Sequence, residues 1–171
     1  MPLFAFEGKK PTVHPDAFIA ATATIVGDVT IEANASVWYG VVLRADFAPI
    51  VVRAGANIQD GAVVHGAEPV EIGAGATIAH GVVMHGAAVG AEALIGNNAT
   101  IQDGARVGRR AMVAAGTLVP PNTVVDDETL FRGSAGKSAG ELSQGAKFWI
   151  DTNPAAYQQL AKRHATGTQP V

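Results

Sequence analysis

Three of the five histidines in this 171-residue chain fall in one short stretch, at His65, His80 and His85. A neutral imidazole nitrogen is a ligand for zinc and other borderline metal ions, and a base or acid near neutral pH. Three imidazoles with a fourth position left open form the donor set of a catalytic zinc site. The chain has no cysteine, which excludes thiolate ligands, thiol nucleophiles and disulfides. Polar residues cluster just before the histidines, as Arg44-Ala45-Asp46 and Gln59-Asp60. Near a metal such groups orient ligands and substrate. Arg44 paired with Asp60, within or between subunits, would neutralise both charges, and Gln59 would hold a metal-bound water. The plainer alternative makes the histidines surface residues, or bolts that join subunits without chemistry. Three in one stretch, with the flanking Gly66, Gly81 and Gly86, favour a metal. His14 and His164 stand apart and read as ordinary surface residues.

The elements that must position these residues are written in a six-residue period. Aliphatic residues recur at Val13, Ile19, Ile25, Ile31, Val37 and Leu43, then at Val52, Ile58 and Val64. They resume at Ile72, Ile78 and Met84, and again from Val89 through Ile95, Ile101, Val107, Val113 and Val119 to Val125. Small residues follow four positions later at Ala35, Ala56, Ala62, Ala76 and Ala99. A helix asks for apolar residues at three and four, and an ordinary sheet for alternation. A period of six fits a chain that turns a corner after each short strand. Three strands then close a triangular coil that stacks on the next at about 4.8 Å.

The hexads fix the histidine register. From Val64 to Met84 is one full coil, so His65 and His85 stack on the outside of one prism face. His80, two residues after Ile78, falls near a corner and points elsewhere within the chain. Packing as a trimer resolves the conflict, with His80 of one subunit meeting His65 and His85 of the next. Extra residues at 47–51 and 66–70 predict short protruding loops. After Val125 the period fades. Residues 133–138 read as a flexible turn and 139–164 as a helix, strongest at 154–162, with Pro154 in a first turn. Leu142, Phe148 or Trp149, and Leu160 would pack it along a prism face, with 165–171 frayed. The expected organisation is an all-β main body over 1–132 carrying the metal site, then a turn and C-terminal helix over 133–171.

Composition agrees with a narrow repetitive β architecture: 48% hydrophobic, 6% aromatic and 16% charged, with 20 glycines. The net charge of −3 and the lack of a basic run argue against nucleic acid or an anionic membrane as partner. The N-terminal stretch lacks the basic and apolar regions of a secretion signal, and no apolar run reaches membrane-spanning length, so the expected compartment is the cytoplasm.

The strings Arg44-Ala45-Asp46, Ile58-Gln59-Asp60, His65, His80 and His85-Gly86 resemble the γ-class carbonic anhydrases. The resemblance covers almost the whole chain, including Val113-Ala-Ala-Gly-Thr-Leu-Val119 and the C-terminal helix. It implies a left-handed parallel β-helix, against the usual right-handed rule for parallel connections. It also implies a homotrimer with one metal per interface, held by His65, His80 and His85. Arg44 and Asp60 carry over as an inter-subunit pair, Asp46 and Gln59 as neighbours of the metal-bound water, and Tyr157 as a helix tyrosine near the site. The implied activity is reversible hydration of CO2 to bicarbonate by a metal-bound hydroxide. The implied metal is Zn2+, with Co2+ or Fe2+ also suited to imidazole. Glu68 or Tyr157 would assist proton transfer. The chain departs from the family at Ala79, where a glycine is usual, and at Gly133-Ser134-Ala135-Gly136-Lys137, which lacks a proline. Its loop at 66–70 is short, with Glu68 as the sole acid, and Phe47 stands where the best-studied type has an acid. Three rivals remain open. One is a hexapeptide acyltransferase using coenzyme A, one an acyl-CoA thioesterase, and one a silent scaffold bolted by metal.

Overall fold

The computed structural model describes residues 3–133 and 137–167. The hexads form a left-handed parallel β-helix of short strands stacked on three faces. One face stacks Phe18–Ile19, Ser36–Val37, Asn57–Ile58, Thr77–Ile78, Leu94–Ile95, Met112–Val113 and Thr129–Arg132. A second stacks Val63–His65, Val83–His85, Thr100–Ile101 and Leu118–Val119 above the first half of Val42–Val52. The third stacks Val70–Ile72, Ala88–Val89, Arg106–Val107 and Val124–Val125 above its second half.

The physical logic of the period is visible inside the prism. Ile25, Leu43, Val64, Met84 and Ile101 rise one above another on the axis, each at most 1% exposed. Ala35, Ala56, Ala62, Ala76 and Ala99 are equally buried where adjacent walls converge, and any longer side chain would overfill the space. Burying a Leu, Ile or Val contributes about 1.5–3 kcal/mol relative to exposure. With one such residue per rung on each face, very short strands are held in place.

The expected loop at 47–51 is not a loop. Val42–Val52 is one continuous strand whose parallel register to Thr24–Ile31 jumps from Gly27↔Ala45 to Val29↔Ile50. Residues 46–49 are thus a bulge opposite Asp28, and pairing on both sides of it keeps the chain extended. Gly27 makes this possible: at φ +79°, a Cβ there would lie 2.3 Å from the Ala45 carbonyl oxygen. The second insertion is a short connection between Val63–His65 and Val70–Ile72, with Ala67, Glu68 and Pro69 exposed.

The C-terminal region also differs from expectation. Lys137–Glu141 is a strand, antiparallel to Thr129–Arg132, so Lys137 and Ser138 do not belong to a turn. Residues 134–136 of the expected turn lie outside the described residues. The helix runs over Gln144–Gly167, and Ser143 caps it by accepting the amide of Ala146 at 3.1 Å. Pro154 lies well inside the helix rather than in its first turn, where its ring nitrogen has no hydrogen to give Ile150. Ala146, Ile150 and Ala161 are buried, as is Leu142 just before the helix, whereas Phe148 and Trp149 are more than half exposed. The helix lies on the face of Phe18–Ile19, Ser36–Val37, Asn57–Ile58 and Thr77–Ile78. Leu142, Ala146 and Ile150 also cluster with Leu94, against which Met112 and Leu130 pack, and Tyr157 sets its ring edge-on to Trp38. Arg110 fastens the helix, donating to Asp151 at 2.6 Å and to Glu92 at 2.7 Å. Residues 165–167 of the expected frayed tail belong to the helix, and 168–171 lie outside the described residues. Among the described residues, no helix is long and apolar enough to cross a membrane.

Candidate metal centre

Arg44, His65 and His85 stand in register on the second face, each following an axial residue, Leu43, Val64 or Met84. Alternation along a strand turns the residue after an axial one outward. His65 Nδ1 therefore lies 3.3 Å from His85 Nε2. Two nitrogens each about 2.0–2.1 Å from a tetrahedral zinc are separated by about 3.3 Å, so this pair matches one edge of such a site. Each imidazole is gripped at its other nitrogen by a carboxylate. Asp46 Oδ1 lies 2.8 Å from His65 Nε2, and Asp103 Oδ1 2.7 Å from His85 Nδ1. The second oxygen of Asp46 takes the Arg44 guanidinium. Burial works against ionisation of Asp46, but the bonds from His65 and Arg44 outweigh it and hold the carboxyl below its ordinary value.

His80 sits in the turn after Thr77–Ile78, on the helix side of the prism. Its Nδ1 lies 3.1 Å from Asp60 Oδ2, and its Nε2 lies 3.5 Å from the hydroxyl of Tyr157. Burial, with the nearby charge of Asp60, raises the Tyr157 pKa, so the phenol stays protonated well above neutral pH. Among the described residues, no three histidine, cysteine, aspartate or glutamate side chains converge on one metal position. His80 thus diverges from the His65–His85 pair within one chain, as its register predicts. An intrachain Arg44–Asp60 pair does not form: Arg44 binds Asp46, and Asp60 faces His80.

Gln59 is 4% exposed and donates Nε2 to Asn57 Oδ1 at 3.0 Å. Asn57, fully buried, donates to Thr77 Oγ1 at 2.9 Å, which also accepts from Asn153 of the helix at 3.1 Å. Glu68 is exposed and borders a shallow groove with Pro69, Gly86 and Asp103. Phe47, 71% exposed, lays its ring 5.7 Å from that of His65.

Sequence reasoning missed Asn57, Thr77, Asn153 and Asp103. Two signals were available. The residue before the axial aliphatic is polar on three successive rungs of one face, at Ser36, Asn57 and Thr77. The string Ile58-Gln59-Asp60-Gly61 also recurs as Ile101-Gln102-Asp103-Gly104.

No family model matches the chain. Over its full length it is 36% identical to carnitine operon protein CaiE of Salmonella agona, covering 89% of that protein. It is 39% identical to the mitochondrial gamma carbonic anhydrase 2 of Arabidopsis thaliana across 92% of this chain, spanning 60% of the plant protein. The crystal structure of a hexapeptide transferase family protein from Anaplasma phagocytophilum superposes with a TM-score of 0.91 at 35% identity, covering 94% of this chain and 96% of that one.

Proposed function

This chain belongs to the γ-carbonic anhydrase-like family of hexapeptide-repeat β-helix proteins, and from that premise we propose that it hydrates CO2 reversibly to bicarbonate at a metal centre between subunits of a homotrimer. The observation that carries the reading is the His65–His85 nitrogen pair at 3.3 Å, with each of the three histidines held at one ring nitrogen by a carboxylate. Second-sphere carboxylates of this kind fix the tautomer and orientation of metal-binding histidines.

His65 and His85 of one subunit, with His80 of the next, would hold the ion. Zinc suits three imidazoles with one open position, and Co2+ or Fe2+ fits the same donors. When bound, zinc supplies a Lewis acid that makes water a nucleophile near neutral pH. The chain's own residues do the rest. Gln59, with Nε2 committed to Asn57, keeps Oε1 as its acceptor and orients the attacking water. Phe47, with its ring beside that of His65, would offer apolar CO2 a weakly hydrated approach. Hydration releases a proton, and the exposed Glu68 carboxylate beside the groove can pass it to solvent. Tyr157, a neutral phenol, positions His80 from the helix. The partly exposed apolar column Val63, Val83 and Leu118 beside the histidines supports burial against a second subunit.

Acyl transfer, or acyl-CoA thioester hydrolysis at the same centre, is the second reading, supported by likeness to the hexapeptide transferase family protein. Metal content by mass spectrometry, with stopped-flow CO2 hydration before and after chelation, separates these readings. About one metal per subunit, with hydration lost on chelation and restored by zinc, is expected. Metal without hydration would turn the assignment to thioesters or to a silent scaffold. A metal-free, inactive protein would end the metal reading.

A further inference from the structure

The repeated Ile-Gln-Asp-Gly string does the same work twice. Asp60, from the first copy, places a carboxylate on Nδ1 of His80 at 3.1 Å. Asp103, from the second, places one on Nδ1 of His85 at 2.7 Å. The copies approach from opposite directions along the prism. Asp60 lies one coil before its histidine, where its carbonyl accepts the Gly81 amide, and Asp103 one coil after, where the Gly104 amide donates to Gly86. Room for the Asp103 carboxylate is made by Gly86. At φ +55°, a Cβ on Gly86 would lie 2.3 Å from Asp103 Oδ1. The His85-Gly86 pair therefore joins an imidazole to the gap through which its carboxylate partner reaches it.

We propose that Asp103 is a positioning residue for the metal centre, holding His85 as its Nδ1–H tautomer so that the Nε2 lone pair faces the position shared with His65. This rests on the metal reading above. A neutral imidazole has one donor and one acceptor nitrogen, and an ionised carboxylate can only accept. The nitrogen facing Asp103 must then carry the proton, which leaves Nε2 as the ligand. His65 is arranged in the complementary sense, with Nε2 toward Asp46 and Nδ1 toward His85. The two carboxylates thus aim opposite ring nitrogens of two stacked histidines at one point.

The test is long-range 1H–15N correlation NMR on zinc-free protein at about pH 8. His85 is assigned by the signals lost in His85→Gln. In the unsubstituted chain His85 is expected as Nδ1–H, and in Asp103→Ala the proton moves toward Nε2. Zinc affinity, read by competition with a chelator, should fall about 10–100-fold in Asp103→Ala, with the melting temperature of the zinc-free protein little changed. Nε2–H in the unsubstituted chain overturns the proposal and requires no variant to fold. Unchanged zinc affinity in Asp103→Ala overturns it as well. If the unsubstituted chain binds no zinc, yet its His85 is locked as Nδ1–H and released in Asp103→Ala, the metal reading fails while Asp103's hold on His85 stands.

Discussion

Gln59 donates its side-chain amide to Asn57 across 3.0 Å, and both side chains are buried. Through Asn57 and Thr77 this bond connects to Asn153, so Gln59 and the C-terminal helix share one polar network.

Asn57→Ala would strand the buried Gln59 Nε2, while Thr77 Oγ1 keeps its bond from Asn153. Leaving a buried donor or acceptor unpaired costs about 1–3 kcal/mol. Urea unfolding should show a loss in that range, and CO2 hydration should fall because Gln59 no longer has a fixed orientation. A variant as stable and active as the unsubstituted chain would remove the network from the account.

Thr77→Val keeps the shape of the side chain but takes the shared acceptor from Asn57 and Asn153. Hydrogen-exchange mass spectrometry should show the helix exchanging about tenfold faster, the equivalent of about 1.4 kcal/mol. Thr77→Ser should restore protection.

Glu32 accepts from Arg53 at 2.8 Å and from the amide of Ala54 at 2.9 Å. The Arg53 bond is the main cause that sets its carboxyl below the ordinary value of 4.5, against a smaller opposing effect of burial. The stabilisation is therefore complete above pH 4.5 and is lost as pH falls through the folded value. In urea titrations from pH 7 to 3, Glu32→Gln should lower stability at pH 7 and flatten its decline in acid. An unchanged acid slope would count against the pairing.

Gly27→Ala would drive a methyl group into the Ala45 carbonyl at a positive-φ position. We expect a loss of about 3 kcal/mol from strain and clash, read as a lower denaturant midpoint. A neutral substitution would mean that the bulge at 46–49 is not held by that close approach.

His80→Ala and His85→Ala should each lose metal and hydration. If the centre lies between subunits, refolding the two variants together makes trimers in which one interface regains all three histidines. Random mixing restores about a quarter of the sites. No recovery in the mixture would place the three histidines in one chain or separate them altogether.

Much of the fold was legible because one residue in each hexad has a single permitted environment. Ile25, Leu43, Val64 and Met84 can only face the axis, and counting between them places His65 over His85. The bulge was harder to see. Surplus residues at 46–49 look like a loop in one dimension, and only the paired neighbours reveal an extended strand. The helix misled through Phe148 and Trp149, which suggest the buried apolar stripe, whereas Leu142, Ala146 and Ile150 make it against Leu94. The burial of Ser36, Asn57 and Thr77 is not legible locally, because the helix on their face comes much later in the chain. At the site, the ligand histidines stood out by type and register. Asp103 did not, since an aspartate before a glycine is also the ordinary residue of a β-helix turn.

A column of parallel rungs has no natural last member. The free amides and carbonyls of Thr129–Arg132 would accept another molecule's first rung as readily as one of their own, and subunits could join end to end into a fibre. Lys137–Glu141 occupies that edge while running the opposite way. With the outer edge of Thr129–Arg132 already paired, another molecule's first rung finds its place taken. On that face this strand acts as a stop to polymerisation, built from a few residues between the last rung and the helix.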